Sequence, residues 1–145
     1  MAAPTLEGTT ALISDRYICT FTAGEDITAG QVLYLSAAWT VKKTDGPRKD
    51  VVGVALTTAA SGKKVSVVCR GLVRVVASAA ITVNSRIGSA AAGKVAAIAA
   101  LDAPATYAEA AMQTELDKIE QWIGRALDAA SADGDIIRAV VYCIP

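Results

Sequence analysis

The sequence predicts a mainly β chain: a small β-barrel or β-sandwich-like body of two related β units, with one inserted α-helix over about 105–122 and an extended N-terminal arm. Three observations carry this expectation. Short runs rich in Val, Ile, Tyr and Thr recur at close spacing, broken by Gly, Pro, Asn and Asp turns. Several of these runs occur twice in the same order. One segment alone carries an apolar period of three to four residues.

Residues 1–15 are small and polar, with Pro4 and Gly8, and hold neither period 2 nor period 3.6. They read as an extended arm, and a frayed terminus is the alternative. Residues 16–145 read as a single β-rich domain. Tyr17-Ile18-Cys19-Thr20-Phe21 is the first strand run. Ala29-Gly30 turns into Val32-Leu33-Tyr34-Leu35, and Trp39-Thr40-Val41-Lys42 is the next run. Asp45-Gly46-Pro47 is a turn cluster before Val51 to Leu56. Ser61-Gly62-Lys63-Lys64 leads into Val65 to Cys69, and Gly71 is expected to break the chain before Leu72 to Val76. Asn84-Ser85 and Gly93-Lys94 mark further turns, and Asp133-Gly134-Asp135 introduces a last strand over Ile136 to Cys143.

From Pro104 to Trp122 the residues are strong helix formers. Ala108, Met112, Leu116, Ile119 and Ile123 recur at helical spacing, with Glu109, Glu115, Asp117 and Lys118 on the remaining surface. Pro104 and a Thr106 N-cap suit the start of a helix of about four turns.

The duplication rests on ordered matches. Ile27-Thr28-Ala29-Gly30-Gln31-Val32 is echoed from Ile81 to Ile87, and Val52-Gly53-Val54-Ala55-Leu56 by Ile123-Gly124-Arg125-Ala126-Leu127. Glycine turns follow at Gly62 and Gly134, then apolar strands ending at Cys69 and Cys143. Ile27 and Ile81 are 54 residues apart, Gly53 and Gly124 are 71 apart, and the excess of 17 is about the length of the expected helix. Two β units with the helix inserted in the second explain this, and chance similarity of Ala- and Val-rich strands is the competing explanation. Closure of such a pair would deal with exposed strand edges.

Composition excludes several function classes. The 145 residues contain no histidine, which removes Ser-His and Cys-His catalysis and His-containing zinc sites. Lys+Arg and Asp+Glu balance at 14 each, so bulk charge offers no nucleic-acid face. The three cysteines, Cys19, Cys69 and Cys143, are far apart in sequence without a CxxC, as expected of buried thiols in a reducing cytoplasm. The first eight residues lack the basic and apolar regions of a signal peptide, and no run approaches the ~18 apolar residues of a membrane span.

No motif assembles a catalytic or cofactor site. Glu25-Asp26 and Asp133/Asp135 are adjacent carboxylates in turns, whereas acid–base chemistry needs carboxyls converging from different elements. Gly62-Lys63-Lys64 precedes a strand, not the helix of a P-loop, and GxSxG is absent. Trp39 and Trp122 could stack a sugar or base but are expected to pack structurally. Arg70, Arg74 and Arg86 are read as exposed positions or subunit contacts.

The order of the elements resembles the capsid decoration (cement, head-stabilising) proteins of tailed bacteriophages. The resemblance runs over about residues 15–143: Asp15-Arg16 before the first strand, Ile27 to Leu35, Val52-Gly53-Val54-Ala55, Gly62 to Gly71, and Ile123 to Leu127. Gln31, where an acidic residue is common, and the helix are departures. The resemblance implies a structural virion protein rather than an enzyme, made in the host cytoplasm, that binds and stabilises the outer surface of an assembled capsid. It implies the major capsid protein and further copies of the chain, as a homotrimer, as partners; no cofactor, metal, nucleic acid or membrane is expected. The arm would reach over neighbouring subunits, with Pro4, Thr5, Leu6, Thr9 and Arg16 as capsid or subunit contacts. A virion or tail adhesin for host glycans, and a small barrel enzyme using carboxylates or Ser/Lys, are the alternatives.

Overall fold

β-branched residues at alternate positions place one side of each strand against a core. The computed structural model describes residues 17–143 apart from 104 and 106. Its strands are β1 (Tyr17–Ala23), β2 (Val32–Ala37), β3 (Thr40–Lys43), β4 (Val51–Ala55), β5 (Lys64–Val76), β6 (Arg86–Ser89), β7 (Val95–Ala97), β8 (Gly124–Ala126) and β9 (Ile136–Tyr142). Among the described residues one α-helix, α1 (Glu109–Glu120), lies between β7 and β8, and a single 3-10 turn (Ala91–Gly93) lies between β6 and β7. In β9, Ile137, Ala139 and Val141 are buried while Ile136, Arg138 and Tyr142 are exposed, the period-two pattern in full.

The strands form one sheet in the order β1-β3-β2-β4-β5-β9-β8-β6-β7. It is folded into two units that share β5. In the first, β1 pairs antiparallel with β5 and parallel with β3, closing a five-stranded barrel. In the second, β9 pairs antiparallel with the last part of β5, and a parallel bridge from Ala77 to Val95 brings β7 back to the start. Closure leaves few free edges.

The two units repeat residue by residue. Leu33 opposite Gly53 corresponds to Ile87 opposite Gly124, and Leu35 opposite Val41 to Ser89 opposite Val95. The bridge between Ile27 and Ala59 corresponds to that between Ile81 and Ala130. Left-handed backbone recurs in matched turns: Gly30 (φ 91°) with Asn84 (67°), and Gly62 (81°) with Gly134 (93°). The first core gathers Phe21, Ala23, Ile27, Leu33, Val41, Ala55, Ala59, Val65, Val67 and Cys69. The second holds their counterparts Val75, Ala77, Ile81, Ile87, Val95, Ala126, Ala130, Ile137, Ala139 and Val141. α1 falls in the second copy of the β3–β4 connection, so the duplication and the insertion are both as expected.

Four expectations need correction. Gly71 does not end a strand: β5 runs through it for 13 residues. Its φ of 140° is a conformation side chains rarely adopt, and there β5 passes from one unit to the other. Trp39 stands in the β2–β3 turn at φ 55° and not in β3. Cys143 does not match Cys69: the registers align Cys69 with Val141, two residues earlier. The helix spans Glu109–Glu120, about three turns, shorter than the expected 105–122. Ala108 is its N-cap residue without a side-chain bond, and Pro104 and Thr106 lie outside the described residues. Trp122 leaves the helix and Ile123, counted in its apolar stripe, packs in the second core.

The units are also joined side by side. Val32, Val51, Val54 and Val68 face out of the first barrel and pack into the second core. A polar seam runs beside them: buried Thr44 donates through Oγ1 to the Ala90 carbonyl at 2.8 Å. Buried Ser89 donates to the Gly46 carbonyl at 2.9 Å and accepts from the Arg48 N–H at 2.9 Å. Both buried hydroxyls are therefore satisfied, as burial requires.

Candidate functional site

The carboxylates read as turn residues serve turns. Glu25 accepts from the Lys43 N–H and Asp26 from the Ser61 N–H, each at 2.9 Å. Asp135 accepts from the Ser131 N–H (2.7 Å), the Ser131 hydroxyl (2.9 Å) and the Ala132 N–H (3.1 Å), and these bonds lower its pKa. Asp133 pairs with Lys94 at 2.6 Å. Lys64 opens β5 and donates to the Thr22 hydroxyl. Among the described residues no group of three or more His, Cys, Asp and Glu stands at metal-holding distance.

The three cysteines, remote in sequence, meet where β1, β5 and β9 adjoin. The Cys143 N–H donates to the Cys69 carbonyl at 2.9 Å, and Cys19 on β1 lies opposite Val67. Burial pushes the Cys69 thiol up to about 12, with Cys19 adding to the effect, and burial raises Cys143 to about 12 as well. Thiols so displaced are poor nucleophiles at neutral pH.

The two tryptophans do not share one platform. Trp39, 68% exposed, lies against Phe21 with ring centroids 5.6 Å apart. Trp122 lies against Arg86 and Arg125, whose guanidinium carbons are 5.2 and 5.8 Å from its ring centroid. The arginines do not form one strip either. Arg70 and Arg74 are on β5, whereas Arg86 is on β6, separated from β5 by β9 and β8.

What the surface does offer is apolar area. Leu56, Leu72 and Ile136 are exposed along a trough of about 540 Å³ that also touches Ala29, Gly30, Arg74 and Arg138. The sequence reading missed it because β5, β9 and the turns of the first barrel meet only in three dimensions. A smaller hollow of about 160 Å³ lies between Leu101, Asp102, Met112, Glu115, Leu116 and Ile119. Met112, Leu116 and Ile119 are each about half exposed, and α1 has no buried residue. Exposed apolar surface of this kind on a well-satisfied β scaffold fits contact with other proteins. The contact positions expected in the arm, Pro4, Thr5, Leu6, Thr9 and Arg16, lie outside the described residues.

Comparison with known proteins agrees with this fold. The chain is similar to the head fiber gp8.5 N base in bacteriophage phi29, with a TM-score of 0.59 at 17% sequence identity over 88% of this chain and 94% of that one. No curated protein sequence is matched. The sequence profile described as phage cement protein matches residues 13–142, nearly the whole of the closed double unit. The chain therefore belongs to the phage cement protein family and is a capsid-associated structural protein of a phage.

Proposed function

We propose that the protein binds the outer surface of an assembled capsid and stabilises it. The observation that carries this reading is exposed apolar surface, in the β5–β9 trough and on α1, on a body whose buried side-chain polar atoms all have hydrogen-bond partners among the described residues. Binding only the assembled state shifts the assembly equilibrium by mass action, so a shell bearing many copies resists rupture without any chemistry. The major capsid protein is the partner, and copies of this chain associate as trimers, which adds avidity where one trimer touches several shell subunits.

In this reading residues 1–15 act as an arm and 16–145 as the body, with Pro4, Thr5, Leu6, Thr9 and Arg16 contacting the capsid or a neighbouring copy. Deleting residues 2–14 is expected to weaken binding to assembled heads while leaving thermal unfolding of the body within a few degrees. Sedimentation velocity is expected to give a trimer. A monomer that also fails to sediment with heads would refute the proposal, and a collapse of unfolding temperature on deletion would assign the arm to the core instead.

A further inference from the structure

The duplication provides an internal control for one surface. In the first unit Val32 and Val54 face one another, next to Val51 and Val68, and all four are buried against the second unit. The registers place Arg86, Arg125, Trp122 and Val140 at the corresponding positions of the second unit. Among the described residues no comparable unit covers this face: Arg86 and Trp122 are exposed, and Arg125 and Val140 half-buried.

Exposure explains polar residues there, but not these. Arg86 and Arg125 are paired directly across β6 and β8, and like charges in that position destabilise a sheet. Both guanidiniums lie against Trp122, which is held by its own Nε1–H bond to the Gly124 carbonyl at 2.6 Å. Gly88 permits the arrangement, since a Cβ there would come 2.9 Å from the Gln121 carbonyl as the chain crosses β6 toward β8.

Among the described residues neither guanidinium meets a carboxylate. Arg48 takes Asp45 and Asp50, and Arg138 takes Asp128. Glu120, two residues before Trp122, is bound by Lys49 at 2.6 Å, as is Asp117. The donors Arg125 does satisfy reach the Asn84 carbonyl and side-chain oxygen at 3.1 and 3.2 Å. Two cations thus lie beside one ring, with most of their donors unpartnered among the described residues. Arginine held on an aromatic face is pre-organised to receive a carboxylate by paired hydrogen bonds.

We infer that Arg86, Arg125 and Trp122 form a docking site for an acidic segment of a protein partner, its carboxylate taken between the two guanidiniums. This rests on the capsid-binding reading for the identity of the partner and is independent of it for the chemistry. A bound carboxylate offsets part of the like-charge opposition between Arg86 and Arg125.

The test uses the full chain with Trp39→Phe, which leaves Trp122 as the sole tryptophan. Two probes are titrated, assembled heads by co-sedimentation and a hexaglutamate peptide by Trp122 fluorescence, against the protein and its Arg86→Ala/Arg125→Ala variant. Melting and light scattering check that the variant is folded and no more aggregated. The inference expects at least tenfold weaker binding of the probe by the variant, a smaller dependence on salt, and loss of the Trp122 emission change. If heads bind both proteins equally, the inference is overturned and the capsid reading stands. If heads bind neither, the capsid reading falls and hexaglutamate decides: a variant-sensitive Trp122 response supports the site, and no response overturns it. A stronger response to sulfate or to a heparin fragment than to hexaglutamate also overturns it, because the site would then not be one for a protein carboxylate.

Discussion

Replacing Gly124 with Ala should destabilise the protein severely, and the structure sets the scale. A Cβ at Gly124 would lie 2.0 Å from the Val140 carbonyl oxygen, where ordinary contact begins near 3.4 Å. The obstruction is backbone, so no rotamer change relieves it, and β8 must move away from β9 by more than 1 Å. That movement disrupts the pairing of Gly124 with Val141 and Arg125 with Val140. Overpacking of this sort and the loss of ladder bonds together cost about 3–5 kcal/mol, or roughly 10–15 °C in melting temperature for a domain of this size. Gly53, the corresponding glycine, would bring a Cβ to 2.4 Å from the Val68 carbonyl and should behave alike. Gly46 has open space within 4 Å and no left-handed backbone, so Gly46→Ala is expected to leave the melting temperature unchanged or slightly raised. Thermal unfolding followed by circular dichroism at pH 7 measures all three. If Gly124→Ala melts within 2 °C of the parent, the close crossing of β8 and β9 is wrong.

Three further outcomes follow from the same geometry. Val54→Arg, which copies the second unit's charge into the buried face of the first, should lower the melting temperature by about 10 °C or more because the charge has no partner there. Stability should be flat from about pH 5 to 8, since the chain has no histidine, and should fall as acid protonates the lowered carboxyls of Asp45, Asp50, Glu115, Asp117, Asp128 and Asp135. Their contribution is complete above their ordinary pKa near 4 and is lost toward the folded-state values; Asp128, held down to about 2 by Arg138, marks the lower limit. A melting-temperature inflection between pH 5.5 and 7.5 would contradict this. The raised thiols of Cys69 and Cys143 carry the opposite sign: their contribution is present below pH 9 and lost as pH rises toward 12. At pH 8 in the folded state both should resist a thiol reagent that labels them fully in denaturant, a result mass spectrometry can assign.

The fold was legible where one residue type has one physical use. Gly53 recurs as Gly124 because a close strand crossing excludes a Cβ, and Gly62 recurs as Gly134 because a left-handed turn disfavours one, so the duplication could be seen in spacing alone. The 17-residue excess located α1 for the same reason. Strands β6 and β7 were hard to see, being four and three residues long and rich in small residues, and their register is set by partners far along the chain. Gly71 misled because a glycine that stops a strand and one that carries a strand between two barrels look identical in sequence. The end of α1 was overextended because Ile123 continues the helical period, although its side chain belongs to the second core.

The surfaces were less legible than the core. Trp122 and Arg125 stood in the sequence as packing and repeat residues, and their meeting with Arg86 depends on β6 and β8 being neighbours. The β5–β9 trough depends on side chains of four separate segments. Exposed Leu72 and Ile136 look in sequence like any other strand residue, because an alternating pattern does not say which face a neighbour covers.

The measurement that bears most directly on the central claim is heat disruption of assembled phage heads with and without the purified full chain. The account predicts saturable binding to heads, little binding to unassembled capsid protein, and a disruption temperature that rises with occupancy. Failure to bind assembled heads, or saturation without any rise in disruption temperature, would contradict it.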